Sequence, residues 1–358
     1  MGSSMAPKHQ RETILVIGPG PRRAAGTDQY AHGVVVACTA LAEAGHKVVL
    51  IDNAPYLALP ETGPEIERHV EPLTPEVVKQ IAAHSGACLV YAETGGDGAQ
   101  RLARTIQDLT PMGSGPEITA LALDRSRLFS RLSELGLPVP AHAIVDTAQA
   151  ALEVAQSMEY PLQATLKSDG DPGDAEASAL LYNQSDLKEW VEQQLDIDPG
   201  AALLLEKAHL GWQRFEVIVI RDGEGRQAVA GLQAYLEPTG TDTADTGWVQ
   251  PPVSPDPKLT QALIETSRTL LDGSDLKGVA SLTLAVDPDT HSGLVLDLSI
   301  GTSRTIAFAA VAAGRPLFEM AARIALGAPL AYVWPQEQST VAVRVPVSPA
   351  VDTGASDP

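Results

Sequence analysis

The sequence predicts an α/β protein of two domains, and three observations carry that prediction. A β-rich apolar run from Thr13 stops at Gly18-Pro-Gly-Pro, gives way to an Ala-rich apolar stretch, Val34–Ala44, and returns as a short strand, Lys47–Asp52. This β–loop–α–β order is the opening of a parallel, doubly wound sheet. A Gly/Pro-rich joint at Pro111–Pro116 then breaks the pattern, and strand-like text follows at Ala202–Leu236 and Gly278–Leu298.

The remaining elements are read in order. Thr74–His84 is a helix with Thr74 as N-cap and Pro75 in its first turn, followed by a strand at Ala87–Tyr91. Beyond the joint, Asp124–Leu135 is helical and closes at Gly136, and Leu137–Ala141 is extended. Thr147–Ser157 is a helix, Tyr160–Leu166 a strand, and Lys167–Asp174 a flexible polar loop. Pro257–Leu271 is a helix, Gly278–Val286 and Leu294–Leu298 are strands, and Phe308–Leu326 is a single helix. The chain shows no internal repeat.

Composition narrows the function. Hydrophobic residues make up 44% and charged residues 20%, as in ordinary globular proteins, while aromatics at 4% leave the packing to Leu, Val, Ile and Ala. A net charge of −20 repels a phosphate backbone, which argues against nucleic acid and requires any nucleotide site to be locally basic. Cys38 and Cys88 form no C-x-x-C pair, and the eight histidines show no zinc spacing. Few thiols and no apolar run of membrane length give the expectation of a soluble, cytoplasmic protein without a membrane partner.

Three short patterns have a functional and a plain reading. Gly18-Pro-Gly-Pro-Arg-Arg is half a dinucleotide fingerprint, with Asp52 where a ribose carboxylate would sit; a loop using glycine only to turn explains the same residues. Asp169–Asp174 is a glycine-containing loop after a strand, but three aspartates in it oppose a polyphosphate. Asp297 with Thr283 is either a thin magnesium site or a surface pair.

Read together, the residues resemble one synthetase half of the carbamoyl phosphate synthetase large chain, an ATP-grasp family. The similarity runs collinearly through Leu15–Pro21, Asp28–Tyr30, Ala37–Gly45, Asp52–Pro55, Glu71–Thr74 and Glu93–Gly96. It continues through Asp124-Arg125 and Leu135–Pro138, is strongest at Leu203–Glu216, and resumes at Ser303–Thr305, Ala312–Leu317 and Val343–Pro346. The resemblance implies a Rossmann-like pre-ATP-grasp domain over residues 12–116 and an α+β ATP-grasp domain of two subdomains over 117–347. The tails, 1–11 and 348–358, are read as disordered.

Carried over position by position, the resemblance implies a nucleotide site of Arg125, Lys167, Lys207, His209, Leu210, Glu216 and Gly240, with Glu216 toward the ribose. It puts Arg304 at the reacting end and a metal site on Thr283, Asp297 and Ser299, with ATP or ADP and magnesium as cofactors. Asp245 also matches. Other positions depart from the family pattern. Thr165 replaces a phosphate-holding arginine, Asp242 a histidine, and Gly301 a substrate-facing arginine, while Thr283, Asp297 and Ser299 replace Gln, Glu and Asn. Each lost charge-assisted contact costs about 1.5–3 kcal/mol. The expected function is a catalytically degenerate, nucleotide-binding or regulatory ATP-grasp protein. The alternatives are an active magnesium-dependent ligase phosphorylating bicarbonate or another small carboxylate, and a structural partner in a larger assembly. A homo-oligomer and a partner chain are both left open.

Overall fold

The computed structural model describes residues 11–20, 27–53, 59, 66–167, 177–240, 246–253, 256–330 and 341–345, without the side chains of 27–29 and 167. The tails at 1–10 and 348–358, the acidic loop at Asp169–Asp174, and Asp242 and Asp245 lie outside the described residues.

The first unit is built from β1 (Thr13–Ile17), α1 (Thr27–Glu43), β2 (Lys47–Ile51), β3 (Ile66–His69), α2 (Pro75–Ser85), β4 (Leu89–Tyr91), α3 (Asp97–Thr105) and β5 (Thr110–Pro111). Its five strands pair in parallel in the order β3-β2-β1-β4-β5. A sheet buried on both faces needs apolar residues at every position, which is why Ile14–Ile17 and Val48–Ile51 read as unbroken runs. Ile14 and Val16 join α1 on one face, whereas Leu15 and Ile17 join α2 and α3 on the other. The glycine loop after β1 turns onto Asp52: Gly20 N donates to Asp52 Oδ1 at 3.1 Å, and a Cβ on Gly18 would meet the carboxylate carbon at 2.6 Å. A carboxylate packed into the loop repels a pyrophosphate, which favours the turn reading over dinucleotide binding.

Two helices, α4 (Pro116–Leu123) and α5 (Arg125–Glu134), lead into a four-stranded antiparallel sheet. That sheet has β6 (His142–Val145), β7 (Leu162–Lys167), β8 (Ser178–Leu181) and β9 (Ala202–Lys207) in the order β6-β9-β7-β8, and it is backed by α6 (Ala148–Met158) and α7 (Gln184–Ile197). The third sheet is six-stranded and antiparallel. Its strands are β10 (Gln213–Arg221), β11 (Gln227–Tyr235), β12 (Trp248–Gln250), β13 (Gly278–Val286), β14 (Gly293–Ile300) and β15 (Ala342–Arg344), in the order β14-β13-β10-β11-β12-β15. One face carries Phe215, Val217, Val219, Leu282 and Leu284 into a core shared with α5 and α8 (Pro257–Leu271). The other packs Ile218, Ile220 and Val279 on α9 (Arg304–Ala312) and α10 (Leu317–Ala325). Helix α10 also sends Ala322 into the α1 face of the first sheet, so one helix serves both units.

Thr74 is the N-cap that the sequence reading gives, accepting from Val77 N, while Thr147 and Asp124, read as the first residues of their helices, are caps as well, accepting from Ala150 N and from Ser126 N and Arg127 N. The single helix expected at Phe308–Leu326 is a correction. Gly314-Arg-Pro316 splits it into α9 and α10, bent by 110°, because proline supplies no amide donor and fixes its own backbone. The first helix begins at Thr27 instead of Val34, the extended stretch Leu137–Ala141 leads into β6, and α3, α4, α7, β3, β5, β8 and β12 have no counterpart in the sequence reading. Among the described residues no single helix is long and apolar enough to cross a membrane.

The first sheet and the six-stranded sheet meet at Glu93, which follows β4. Its side chain is 5% exposed, and Oε1 accepts from Ser114 N at 2.6 Å. Ser114 Oγ in turn accepts from Lys277 N at 3.2 Å. Three glycines make room: a Cβ on Gly113 would stand 2.5 Å from Oε1, one on Gly278 2.9 Å from Oε2, and one on Gly301 would overlap the Glu93 carbonyl oxygen. Gly301 also has φ +82°, so residue 301 cannot take the arginine that the resemblance places there without moving Glu93. Burial pushes the Glu93 carboxyl up to about 7, against the opposing hydrogen bonds of Ser114.

The folded seam therefore favours the neutral acid. This contribution to stability is largest below pH 4.5, falls as pH rises toward 7, and is level above that. Glu93→Gln keeps the acceptor for Ser114 and cannot ionise. At pH 8 it is expected to be more stable than wild type by up to about 3 kcal/mol, with the gap closing toward pH 5. Paired denaturant titrations from pH 5 to 8 measure the difference; a variant that is less stable at every pH refutes the account.

Candidate functional site

The register of the six-stranded sheet assembles the site. Gln233 on β11, Glu216 on β10, Thr283 on β13 and Asp297 on β14 are successive cross-strand partners and share one face. Ser281 and Ser299 are partnered alongside them. Alternation sends their neighbours Phe215, Val217, Leu282, Leu284 and Leu298 into the core beneath, so this stretch is a polar floor over an apolar underside. The β13–β14 register slips by one between Thr283 and Leu284, leaving Leu296 without a cross-strand partner.

Arg125 uses that slip. Its Nε and Nη2 donate to Leu296 O at 3.2 and 3.0 Å, and its Nη1 lies 3.3 Å from Glu206 Oε2 on β9 of the smaller sheet. The arginine that the resemblance gives to the nucleotide thus links the two antiparallel sheets. Burial raises the Glu206 carboxyl, with Arg125 and His142 opposing.

Lys207, His209, Leu210 and Gly240 come together where β9 runs into β10. Lys207 Nζ donates to the carbonyls of Tyr160 at 3.0 Å and Glu159 at 3.3 Å. The His209 ring lies 4.3 Å from that of Trp212; burial lowers its pKa, with help from Lys207 and opposition from Asp287. Leu210 is 38% exposed and rests against Gly240, whose φ of +97° and missing Cβ allow the approach. Thr239 laces this connection: it donates from Oγ1 to His209 O, and it accepts from Gly211 N at 3.0 Å and Trp212 N at 2.9 Å. The arrangement is a hydrogen-bonded, partly apolar connection between the two antiparallel sheets.

Glu216 sits deeper than a ribose-facing residue would. It is 3% exposed, with Oε2 accepting from Tyr235 Oη at 2.7 Å and Oε1 from Thr305 Oγ1 at 2.5 Å. Arg304 opens α9 beside Thr305, and its guanidinium lies 6.0 Å from the Trp248 ring centre. It stands on the far flank of Glu216 from Asp297. Burial pushes Asp297 up to about 7; Arg125 opposes, and Asp97 and Glu216 add to the rise. Asp97 is the first residue of α3, whose Gln100 one turn later donates to Ile300 O at 3.1 Å.

A magnesium pair does not fit this donor set. Thr283 and Ser299 offer neutral hydroxyls beside one carboxylate, Glu216 is taken by internal donors, and no group of three His, Cys, Asp or Glu able to hold a metal exists among the described residues. Sequence reasoning missed Glu93, Asp97, Glu206 and Tyr235. The one available signal was a charge set inside an apolar run at Leu203-Leu-Leu-Glu206.

Two family models match the chain: the carbamoyl phosphate synthase preATP-grasp domain over residues 10–124, and the carbamoyl-phosphate synthase L chain, ATP binding domain, over 124–333. The chain belongs to the carbamoyl-phosphate synthase large-chain family. The carbamoyl phosphate synthase large chain of Xanthomonas axonopodis pv. citri is 28% identical over 328 residues, which cover 88% of this chain and 30% of that protein. The C-terminal section of the Methanopyrus kandleri large chain is 24% identical over 318 residues, covering 88% and 58%. The chain thus spans less than two thirds of either relative. Among solved structures, the ADP complex of an N5-carboxyaminoimidazole ribonucleotide synthetase superposes with a TM-score of 0.68 at 18% identity, covering 89% of this chain and 78% of that one. The biotin carboxylase domain of Hydrogenobacter thermophilus 2-oxoglutarate carboxylase, a dimer with MgADP, ADP and bicarbonate, gives 0.68 at 18%, covering 90% and 72%. These likenesses establish a pre-ATP-grasp domain followed by an ATP-grasp domain.

The Arg125 link has a measurable weight. Arg125→Met leaves Glu206 buried without its cation and is expected to cost about 3 kcal/mol. Adding Glu206→Gln should restore at least half of that loss, measured as a double-mutant cycle in denaturant. A purely additive cycle refutes the coupling.

Proposed function

We propose that the chain is a nucleotide-binding ATP-grasp protein whose phosphoryl-transfer chemistry has degenerated. The observation that supports this most is the donor set along β10, β13 and β14. Glu216 and Asp297 are the two carboxylates in the row, Glu216 is engaged by Tyr235 and Thr305, and hydroxyls stand where the resemblance places amide ligands. Phosphoryl transfer depends on cations that neutralise the moving group, so a floor with this composition holds a nucleotide better than it activates one. The resemblance adds Thr165 and Gly301 in place of two arginines, which removes further phosphate and substrate contacts.

Binding rests on the connection from β9 to β10. Lys207, His209, Leu210 and Gly240 form a rigid, partly apolar edge between the two antiparallel sheets, where a base is covered without any demand on the phosphates. Arg125 is the positive group that spans the two sheets, and Lys167 corresponds to a nucleotide position by the resemblance in sequence. ADP or ATP is the cofactor class, and magnesium adds little.

Calorimetric titration checks this directly. AMP, ADP and ATP with magnesium are expected to bind within about threefold of one another, because the contacts that would favour the third phosphate are missing. Bicarbonate-dependent ATPase is expected at background, unchanged by Asp297→Ala. A strict magnesium-dependent preference for ATP, with turnover that Asp297→Ala abolishes, would establish the alternative, an active ligase for bicarbonate or another small carboxylate.

A further inference from the structure

Helix α5 and strand β6 line an open groove of about 560 Å³, and none of the polar-floor residues takes part in it. Strand β6 is an edge of the four-stranded sheet and pairs with β9 alone. One bond fixes which way its main chain points. Lys207 N donates to Ala141 O at 2.8 Å, so residues 141, 143 and 145 turn their main-chain groups to β9. His142 and Ile144 therefore turn their N–H and C=O groups outward, where no strand among the described residues meets them. His142, Ala143 and Ile144 all line the groove although their side chains alternate between faces, so the groove follows the edge itself. Ile144 is 52% exposed, and an open edge with an apolar side chain is a template for one more strand.

The helix wall is basic. Arg127 and Arg131 stand one turn apart, each in an exposed ion pair: Arg127 Nε with Asp124 Oδ2 at 3.5 Å, and Arg131 Nη1 with Glu134 Oε2 at 3.0 Å. Such pairs are weak, and each engages one guanidinium nitrogen of three, so both arginines can take a further carboxylate. The spacing selects an extended ligand. Residues i and i+4 of a helix lie about 6 Å apart along its axis, and residues i and i+2 of a strand about 6.7 Å apart. Carboxylates on alternate residues of an added strand match the two arginines. A second copy of the chain is disfavoured, because two bodies of charge −20 repel each other, whereas a short segment carries only the few charges that meet the groove.

We propose that this groove docks an extended acidic segment of a partner protein, which adds a strand to β6 and sets the carboxylates of two alternate residues on Arg127 and Arg131. Main-chain bonds to His142 and Ile144 supply affinity, and the arginines supply the preference for acidic residues.

The probe is a fluorescein-labelled nonapeptide of alternating valine and glutamate, titrated by anisotropy, with lysine for glutamate in the control. The glutamate peptide is expected to bind about tenfold tighter than the control, and Arg127→Ala with Arg131→Ala to weaken it about tenfold. Circular dichroism establishes that the variant is folded. Of two peptides N-methylated on every valine or on every glutamate, one is expected to lose binding and the other to keep it, because only alternate amides face β6. Amide exchange followed by NMR is expected to slow at His142 and Ile144 when the peptide binds. Equal binding of glutamate and lysine peptides, or an affinity untouched by the double substitution, overturns the proposal. Protection confined to another edge does so too, as does the absence of binding up to about 1 mM. Sedimentation that finds a dimer with both amides protected in the absence of peptide also overturns it, making a second copy the occupant. The nucleotide reading is tested separately and survives any of these results.

Discussion

Three nitrogens of Arg125 fix how the two antiparallel sheets face each other. Two of them meet the carbonyl of Leu296 and the third meets the carboxylate of Glu206, so one planar group touches both walls of the cleft. The carbonyl is available because β14 carries one residue more than β13 at that point. The same slip puts Asp297 opposite Thr283 on the polar floor and returns Val295 to the core. A perfectly regular ladder would have turned Asp297 or its neighbours the other way, since a shift of one residue exchanges the two faces.

The interior shows how an acidic chain stores carboxylates. Glu93 and Asp297 are pushed up to about 7 by burial, Glu206 is raised although a guanidinium stands beside it, and Glu216 is wrapped in hydroxyl donors. With 45 acids against 25 bases there are not enough cations to pair every acid. Hydrogen bonding and neutralisation take the place of ion pairing in the interior.

Much of the fold was legible because the local signals agree with one another. The doubly wound opening from Thr13 to Asp52, the cap at Thr74, the helix starts at Asp124 and Thr147, and the strands that became β13 and β14 rest on short-range pattern. Helix α7 was not legible: its buried side includes Gln194 beside Leu187 and Val191, which blurs the apolar stripe. The helix break at Gly314–Pro316 was legible and was overlooked in favour of a long apolar run. Site membership was a different matter. The pairing of Thr283 with Asp297 is legible from two strands joined by a short turn, whereas the bonds that engage Glu216 come from residues 19 and 89 positions away, beyond the reach of any periodicity. A bulge such as that at Leu296 leaves no trace in composition.

Gly301 sets what the junction between the two units tolerates. Its left-handed backbone and the carbonyl of Glu93 against its α-carbon exclude every side chain at that position, not only arginine. Any substitution there would have to part the two units at their junction, where Gly113 and Gly278 also leave room for the Glu93 carboxylate and Ser114 N donates to it. The junction thus keeps a spot between the two units that is main chain alone, with neither charge nor bulk from residue 301.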